Sequence, residues 1–196
     1  MSPESLKALK RWEAEKIKQL GFDGFQKYRK ELFSRGKILH TNIQTYLETK
    51  DTSKLQFASN THEKMWQSVE HVLPKIGTLY ASEVPVHHPF LRYRGILDSL
   101  ATYHDIPTIF EWKTSEKLKP TVAHTYDNPL QAIAYFACLQ FDQAGLVLPP
   151  VKEVILVIAY EDGSKANVHI LESSFRAEIW KKFLKRLELF WSQQAN

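Results

Sequence analysis

Two acids and a lysine near the middle of the sequence are of the types that carry out acid–base or metal-assisted chemistry. Glu111 and Lys113 are separated by a single residue, so on a β-strand both side chains point to one face of the sheet. Asp98 precedes them in a second strand-like stretch, and the turn signal His104–Pro107 lies between the two stretches. We therefore expect a hairpin that brings the Asp98 and Glu111 carboxylates together beside the Lys113 ammonium group.

This arrangement favours the binding of a divalent cation. Two carboxylates on one face repel each other, and one of them tends to hold a proton unless a positive charge lies between them. Hard divalent cations prefer oxygen ligands, so a cation between Asp98 and Glu111 would remove the conflict. Lys113 would then face a phosphate group or an attacking water. A salt bridge between Lys113 and one of the acids on an exposed sheet face is the alternative, and these three residues alone leave it open.

Other residues in apolar surroundings add to this pattern. Gly95 lies inside a strand-like stretch, where glycine costs stability unless a bulge or the close approach of another group requires it. Gln131 and Tyr135 lie four residues apart, on one face of an otherwise apolar helix. His40 shares a helix face with apolar residues, where a histidine is more often a hydrogen-bonded core residue than a ligand. Each feature has an ordinary structural explanation, and only their occurrence together favours a site.

Hydrophobic periodicity predicts the elements that position these residues. The first part of the chain has helical spacing, with a helix that ends at Gly21. The last helix is expected to turn Phe190 and Trp191 inward. The alternation of strands with helices indicates an α/β fold with helices around a mixed central sheet. The predicted order is helices within residues 6–73, strands over 78–88, 92–103 and 107–113, a helix over 127–141, a hairpin over 152–171 and a helix over 173–191.

Composition limits the classes of function. The chain has 196 residues, of which 43% are hydrophobic, and this suffices for one domain with a full core. The net charge of +4 is compatible with a polyanionic partner without requiring one. Cys138 is the only cysteine, which excludes an intrachain disulfide and a protein-ligated iron–sulfur cluster. No apolar run approaches the length of a membrane span, and we expect no targeting segment in this sequence.

The first helices combine basic and aromatic residues. Lysines and arginines crowd this region, and aromatic residues lie between them at Trp12, Phe22, Phe25, Tyr28 and Phe33. Unpaired bases can stack on exposed aromatic rings while basic groups contact the phosphates. The alternative is ordinary surface charge around a packed core, and we expect most of these rings to lie in the core.

Taken in order along the chain, the singled-out residues form a five-part pattern. The pattern resembles the RecB-like branch of the PD-(D/E)XK nucleases. Within that branch, the stretches EWKTSEKLKP and YDNPLQAIAYFA are similar to the exonucleases that maintain mitochondrial DNA. Leu97 occupies the position of the P in the family name, and the resemblance runs from the first helices to the C-terminal WKKFLKRLELF. The five parts are Gly36-x-x-x-His40, Glu83-x-Pro85, Gly95-x-x-Asp98, Glu111-x-Lys113-Thr114 and Gln131-x-x-x-Tyr135.

The resemblance implies a role for each matching residue. Asp98, Glu111 and Lys113 would be catalytic, with Lys113 orienting or activating the attacking water. The implied cofactor is Mg²⁺ or Mn²⁺ in a number that the sequence does not fix, and a histidine ligand tilts the preference towards Mn²⁺. The implied metal ligands are His40, Asp98, Glu111 and the backbone carbonyl of Trp112. The residues implied to support the site or contact the substrate are Glu83, which is also a candidate ligand for a second ion, and Gly95, Thr114, Ser115, Gln131 and Tyr135.

The resemblance also implies a fold and an activity. We expect one nuclease domain over residues 1–196, with a restriction-endonuclease-like core over 76–196 and a helical portion over 1–75 that covers the site. The implied activity is metal-dependent hydrolysis of single-stranded DNA at free ends or flaps, in mitochondrial DNA maintenance. The implied protein is a mitochondrial monomer that is not bound to a membrane. The alternatives are a structure-selective endonuclease on the same core and a pseudo-nuclease that binds single strands without cutting them.

Overall fold

The computed structural model describes residues 3–141, 143 and 146–194. These residues form a mixed five-stranded sheet flanked by helices, so the predicted α/β fold is confirmed. The helices are α1 (Pro3–Thr49), α2 (Asn60–Val69), α3 (Asn128–Cys138) and α4 (Ser173–Gln194). The strands are β1 (Ile76–His88), β2 (Tyr93–Tyr103), β3 (Ile106–Ser115), β4 (Glu153–Tyr160) and β5 (Asn167–Ile170).

The strands lie in the sheet in their order along the chain, β1-β2-β3-β4-β5. Only the β3–β4 pair is parallel among these strands, and α3 lies in the connection between the two. The hairpin between β2 and β3 turns at His104 and Asp105, whose φ angles of 48° and 66° are those of a tight turn matched to the twist of the strands. This register places Ser99 opposite Phe110, and the predicted hairpin is therefore confirmed.

Alternation along β3 and β4 divides the core into two layers. Phe110 and Trp112 pack on one face of the sheet with residues of α1 and α2. Ile109 and Val154 point to the other face, where they pack with residues of α3 and α4. Glu111 and Lys113 share the parity of Ile109, so the fold directs both side chains to the α3 face. The sequence predicts that the two share a face opposite Phe110 and Trp112, but not which helix covers it.

The helix α1 folds back on itself at Gly21. Along a straight helix, Trp12 and Phe25 would lie about 20 Å apart, yet their ring centroids are 5.7 Å apart. Gly21 has a φ of 71° and a ψ of 170°, a conformation that is essentially restricted to glycine. The part of α1 before Gly21 is hereafter the first segment and the part after it the second segment. The sequence predicts the helix end at Gly21 but not the direction in which the chain turns.

The end of α4 departs from the prediction. Phe190 and Trp191 were expected to face inward, but they are 49% and 42% exposed. The earlier part of α4 is packed on the sheet, with Ile179 buried and Phe183 against Tyr93 at a ring distance of 4.9 Å. The helix therefore extends beyond the core, and its periodicity continues where there is little left to pack against. No helix in the described ranges combines the length and the apolar composition needed to cross a membrane.

We predict that alanine has opposite effects at two glycines of α1. Gly21→Ala introduces a Cβ at a φ of 71°, so it should strain the fold-back or separate the two segments. Gly36 is helical and has open space around its Cβ position. Gly36→Ala should therefore raise the free energy of unfolding by about 0.5–1 kcal/mol.

Amide hydrogen exchange over residues 3–20, together with urea unfolding, checks this prediction. The amides of the first segment should exchange faster in Gly21→Ala and at an unchanged rate in Gly36→Ala. If both variants stabilise the protein and leave exchange unchanged, the fold-back at Gly21 does not depend on glycine.

Candidate metal centre

The sheet opens between β2 and β3 where the candidate site lies. The regular pairing of the two strands ends at Ser99 and Phe110. Beyond this pair, the Asp98 carboxylate takes the place of a backbone acceptor of β2. Its Oδ2 accepts a hydrogen bond of 2.8 Å from the Trp112 backbone N–H. The N–H and C=O of one strand residue point to the same side, so the Trp112 carbonyl is also directed into this opening. His40 of α1 reaches that carbonyl, with its Nε2 atom 3.0 Å away.

Glu83 joins this group from β1 through an unusual backbone conformation. Its φ is 49°, in the left-handed region that a glutamate rarely adopts. Its neighbours Ser82 and Val84 remain paired with β2. Glu83 Oε1 lies 3.1 Å from His40 Nδ1, and Asp98 Oδ1 lies 3.7 Å from the same nitrogen. Ligand atoms of His40, Glu83 and Asp98 therefore lie within 4.8 Å of one another, close enough to hold a metal ion together.

Glu111 is fully buried beside this group. Its Oε1 accepts a hydrogen bond from Lys113 Nζ, whereas its Oε2 is the one buried side-chain N or O atom of the described residues that lacks a hydrogen-bond partner. Leaving such an atom unpaired in the interior costs about 1–3 kcal/mol or more. The Oε2 atom therefore indicates that a proton or a cation belongs beside it.

The electrostatics of the pair agree with a cation site. Burial raises the pKa of Glu111 to about 8 against the lowering effect of Lys113, and the Asp98 charge adds to the rise. Burial alone would lower the pKa of Lys113, but the charges of Glu111 and Asp98 outweigh it and the pKa is raised. The carboxylates thus favour the charged form of Lys113, and a further cation beside Glu111 would favour its ionised form.

These observations fit a divalent cation. The donors are carboxylate oxygens, a backbone carbonyl and an imidazole nitrogen, and Glu111 Oε2 is an unused oxygen ligand. Of the ligands implied by the resemblance, His40, Asp98 and the Trp112 carbonyl lie together. Glu111 lies outside the group that is within 4.8 Å, and Glu83 takes a place in it instead. From the sequence, Glu83 is placed among the supporting residues and as a candidate ligand for a second ion, not in the first group of ligands, because nothing in the sequence reveals the turned backbone.

The helix α3 supplies a polar wall to the site. Gln131 Nε2 donates a hydrogen bond of 3.0 Å to the Tyr135 hydroxyl oxygen. Burial raises the pKa of Tyr135, and the nearby Glu111 and Asp98 charges raise it further. A Cβ on Gly95 would lie 2.2 Å from Cε1 of the Tyr135 ring. The glycine in β2 is therefore required by the close approach of this ring, which is one of the two explanations that the sequence leaves open.

Thr114 and Ser115 continue β3 beyond Lys113. Thr114 lines a cleft next to the site, whereas the Ser115 hydroxyl donates to the Lys117 carbonyl at 2.7 Å and so belongs to the turn after the strand. Another residue of this turn, Glu116, contacts both segments of α1 and was not singled out from the sequence. Its acidic charge between Lys113 and Lys117 is the one signal that the sequence offers.

A cleft of about 670 Å³ leads to the site between the two segments of α1 and the sheet. Basic and aromatic side chains line it, and Phe33 is 72% exposed. Phe22 is exposed as well, and Trp12 and Tyr28 are half-buried. Of the five rings only Phe25 is fully buried, so the expectation that most of them lie in the core was wrong. The lining residues are Leu9, Trp12, Glu13, Arg29, Leu32, Phe33, Gly36, Lys37, His40, Glu83, Trp112, Lys113 and Thr114.

Three curated relatives share the name mitochondrial genome maintenance exonuclease 1. The human protein is 34% identical over 203 residues, which cover 100% of this chain and 56% of the human protein. The Mus musculus protein is 34% identical over 205 residues, covering 100% of this chain and 57% of the mouse protein. The Xenopus tropicalis protein is 37% identical over 180 residues, covering 92% of this chain and 51% of the frog protein. The chain therefore spans about half the length of the curated relatives it matches.

Comparison with solved structures gives a more distant likeness. A Eubacterium rectale protein described as a candidate exonuclease has a TM-score of 0.48 and 9% identity, covering 81% of this chain and 65% of that chain. No protein-family model matches the chain.

We predict that the protein is more stable with glycine than with alanine at position 83. Glu83→Gly accommodates the φ of 49° without strain, whereas Glu83→Ala retains most of the steric conflict. We expect Glu83→Gly to exceed Glu83→Ala by about 1 kcal/mol in the free energy of unfolding. Both variants should weaken Mn²⁺ binding, measured by calorimetry, by about tenfold or more because a charged ligand is lost.

His87 provides the control for this prediction, because it is exposed on the same strand and has no positive φ. There the order should reverse, with His87→Gly less stable than His87→Ala by about 0.5–1 kcal/mol. Unchanged Mn²⁺ affinity in both Glu83 variants would remove Glu83 from the ligand group.

Proposed function

The chain is homologous along its whole length to proteins named mitochondrial genome maintenance exonuclease 1, and from this relationship we propose that it is a metal-dependent exonuclease acting on single-stranded DNA. It would hydrolyse phosphodiester bonds at free ends or flaps during mitochondrial DNA maintenance, and it would be located in mitochondria as a monomer. The RecB-like branch of the PD-(D/E)XK nucleases is the superfamily to which we assign it. The unpartnered Glu111 Oε2 beside Lys113 and the Asp98 group is the observation that carries this proposal.

The cation site of this proposal is formed by His40, Asp98, Glu111, the Trp112 carbonyl and Glu83. A divalent cation bound there supplies positive charge that neutralises the phosphate and favours deprotonation of the attacking water. Mg²⁺ and Mn²⁺ both accept oxygen ligands, and the imidazole of His40 favours Mn²⁺. His40, Glu83 and Asp98 are close enough to share one ion, and Glu111 and the Trp112 carbonyl are the further oxygen ligands of this proposal.

Lys113 is the residue that we assign to the reacting phosphate. Its ammonium group is held by Glu111 on the α3 face of the sheet, beside the candidate ligands. From that position it can orient the attacking water and stabilise the negative charge that develops on the phosphate oxygens. The Trp112 N–H fixes the Asp98 carboxylate, and Gln131 fixes the Tyr135 hydroxyl at the wall of the site.

The cleft supports a single strand as the substrate. Arg29 and Lys37 can contact phosphates, while the exposed ring of Phe33 offers a face on which a base can stack. Both segments of α1 line the cleft above His40, which supports the division into a covering portion over residues 1–75 and a catalytic core over 76–196. A thin, flexible strand can pass such a covered cleft, whereas a duplex is wider and stiffer.

We predict that cleavage of a labelled single-stranded oligonucleotide requires Mg²⁺ or Mn²⁺ and stops in excess chelator. Lys113→Ala should reduce the rate by about 100-fold or more, because the lysine acts on charge that develops in the transition state. Binding of the strand should remain largely unchanged. Lys165→Ala, which removes an exposed lysine from the turn between β4 and β5, is the control and should cleave normally.

Gel-based cleavage and fluorescence-anisotropy binding on the same samples measure both effects. Cleavage that persists in excess chelator would contradict the metal-dependent mechanism. Equal losses in the Lys113 and Lys165 variants would show that the effect is one of general charge.

We also predict that a linear single strand is degraded while the same strand ligated into a circle survives. A covered cleft admits a strand by its free end, and a circle has none. Binding of the linear strand should weaken steeply with salt, because lysine and arginine contacts release counterions from the phosphates. Cleavage of circle and linear strand at equal rates would favour the structure-selective endonuclease instead.

A further inference from the structure

A single carboxylate in the turn after β3 connects both segments of α1 to the catalytic strand. Glu116 accepts a hydrogen bond from the Tyr28 hydroxyl of the second segment. The other oxygen of Glu116 lies 3.5 Å from Lys16 Nζ of the first segment. Lys16 also lies over the Tyr28 ring, 4.4 Å from its centroid. Three side chains from three parts of the chain thus form one polar contact, which we call the Glu116 clasp.

The clasp is one of several contacts that hold α1 over the cleft. Ser5, near the start of the first segment, donates a hydrogen bond of 3.0 Å to Asp127, just before α3. Arg35 of the second segment pairs with Glu161, after β4, at 2.7 Å. Of these contacts, the clasp is the one that joins the first segment to the strand carrying Glu111 and Lys113. Opening it would detach the middle of the first segment from that strand.

The negative charge of Glu116 disfavours the binding of a polyanion next to it. It lies among Lys113, Lys117 and Lys119, where a carboxylate repels phosphates and weakens the basic surface. The contact with Lys16 offsets that charge. Lys16 and Glu116 retain 23% and 35% side-chain exposure, and exposed ion pairs are weak, so the clasp can open and close in the folded protein.

We propose that Glu116 is a specificity-determining residue that closes the side of the cleft, so that a single strand can reach the metal site only by its free end. This inference rests on the proposed function and deepens it. The Glu116 clasp makes no contact with His40, Asp98 or Glu111 in the described part of the chain, so Glu116 acts on access and not on the reaction. Removing the clasp should let an internal stretch of a strand enter sideways.

The test compares the cleavage rates of circular and linear single strands of the same sequence in several variants. Glu116→Ala removes both contacts of the carboxylate, and Glu116→Gln keeps an acceptor for Tyr28 while removing the charge. Tyr28→Phe removes only the hydroxyl and keeps the ring beside Trp12. Glu31→Ala is the matched control, because it removes an ion pair with Arg35 that lies within the second segment.

We expect the circle-to-linear rate ratio to rise by about tenfold in Glu116→Ala and less in Glu116→Gln and Tyr28→Phe. It should stay at the wild-type value in Glu31→Ala. Amide hydrogen exchange over residues 3–20, which does not depend on activity, should be faster in Glu116→Ala than in the wild type or in Glu31→Ala.

The outcomes separate the two proposals. A wild-type protein that cleaves neither strand contradicts the proposed function. A wild-type protein that degrades the linear strand, with an unchanged ratio and unchanged exchange in Glu116→Ala, overturns the role of Glu116 alone. A wild-type protein that cuts the circle as fast as the linear strand overturns it as well, because there is then no closed side to open.

Discussion

The hydrogen bond from the Trp112 N–H to the Asp98 carboxylate is the interaction on which the site depends. The Asp98 side chain accepts the hydrogen bond that a backbone carbonyl of the partner strand would otherwise accept. The strands β2 and β3 can therefore separate without leaving a buried N–H unpaired. The separation exposes the Trp112 carbonyl to His40, while the parallel pairing of β3 with β4 continues through Ser115 and keeps the strand rigid. The opening is therefore local, and the surrounding sheet holds it in place.

The unfavourable features around this opening have a common explanation in a positive charge bound at the site. Glu111 is buried with one oxygen unpartnered, and Glu83 takes a backbone conformation that costs a glutamate about 1–3 kcal/mol. Lys113 offsets only part of the negative charge, since three carboxylates converge on one ammonium group and one imidazole. If stability alone determined the residues at these positions, apolar side chains would be favoured there. Their presence is explained when a cation completes the set.

Much of this architecture is local and was therefore predictable from the sequence. The strand period and the His104-Asp105 turn each follow from a few neighbouring residues, whereas the ring that requires Gly95 belongs to Tyr135 of a distant helix. The remainder depends on contacts between distant parts of the chain. The fold-back at Gly21 needs the packing of Trp12 on Phe25, and Glu83 turns towards a histidine 43 residues away. The end of α4 is exposed although its apolar spacing predicts burial, because an apolar stripe on a helix is buried only where another element packs against it.

The break at Gly21 divides α1 into parts with different attachments. The second segment carries His40 and is fixed by the buried side chains of Leu39, Ile43 and Leu47. Two contacts of the first segment with the rest of the molecule are polar, namely the hydrogen bond of the buried Ser5 and the partly exposed ion pair of Lys16. Polar contacts of this kind open at a lower free-energy cost than a packed core. The candidate ligand His40 can therefore stay in place while the first segment moves, so one helix can both build the site and control access to it.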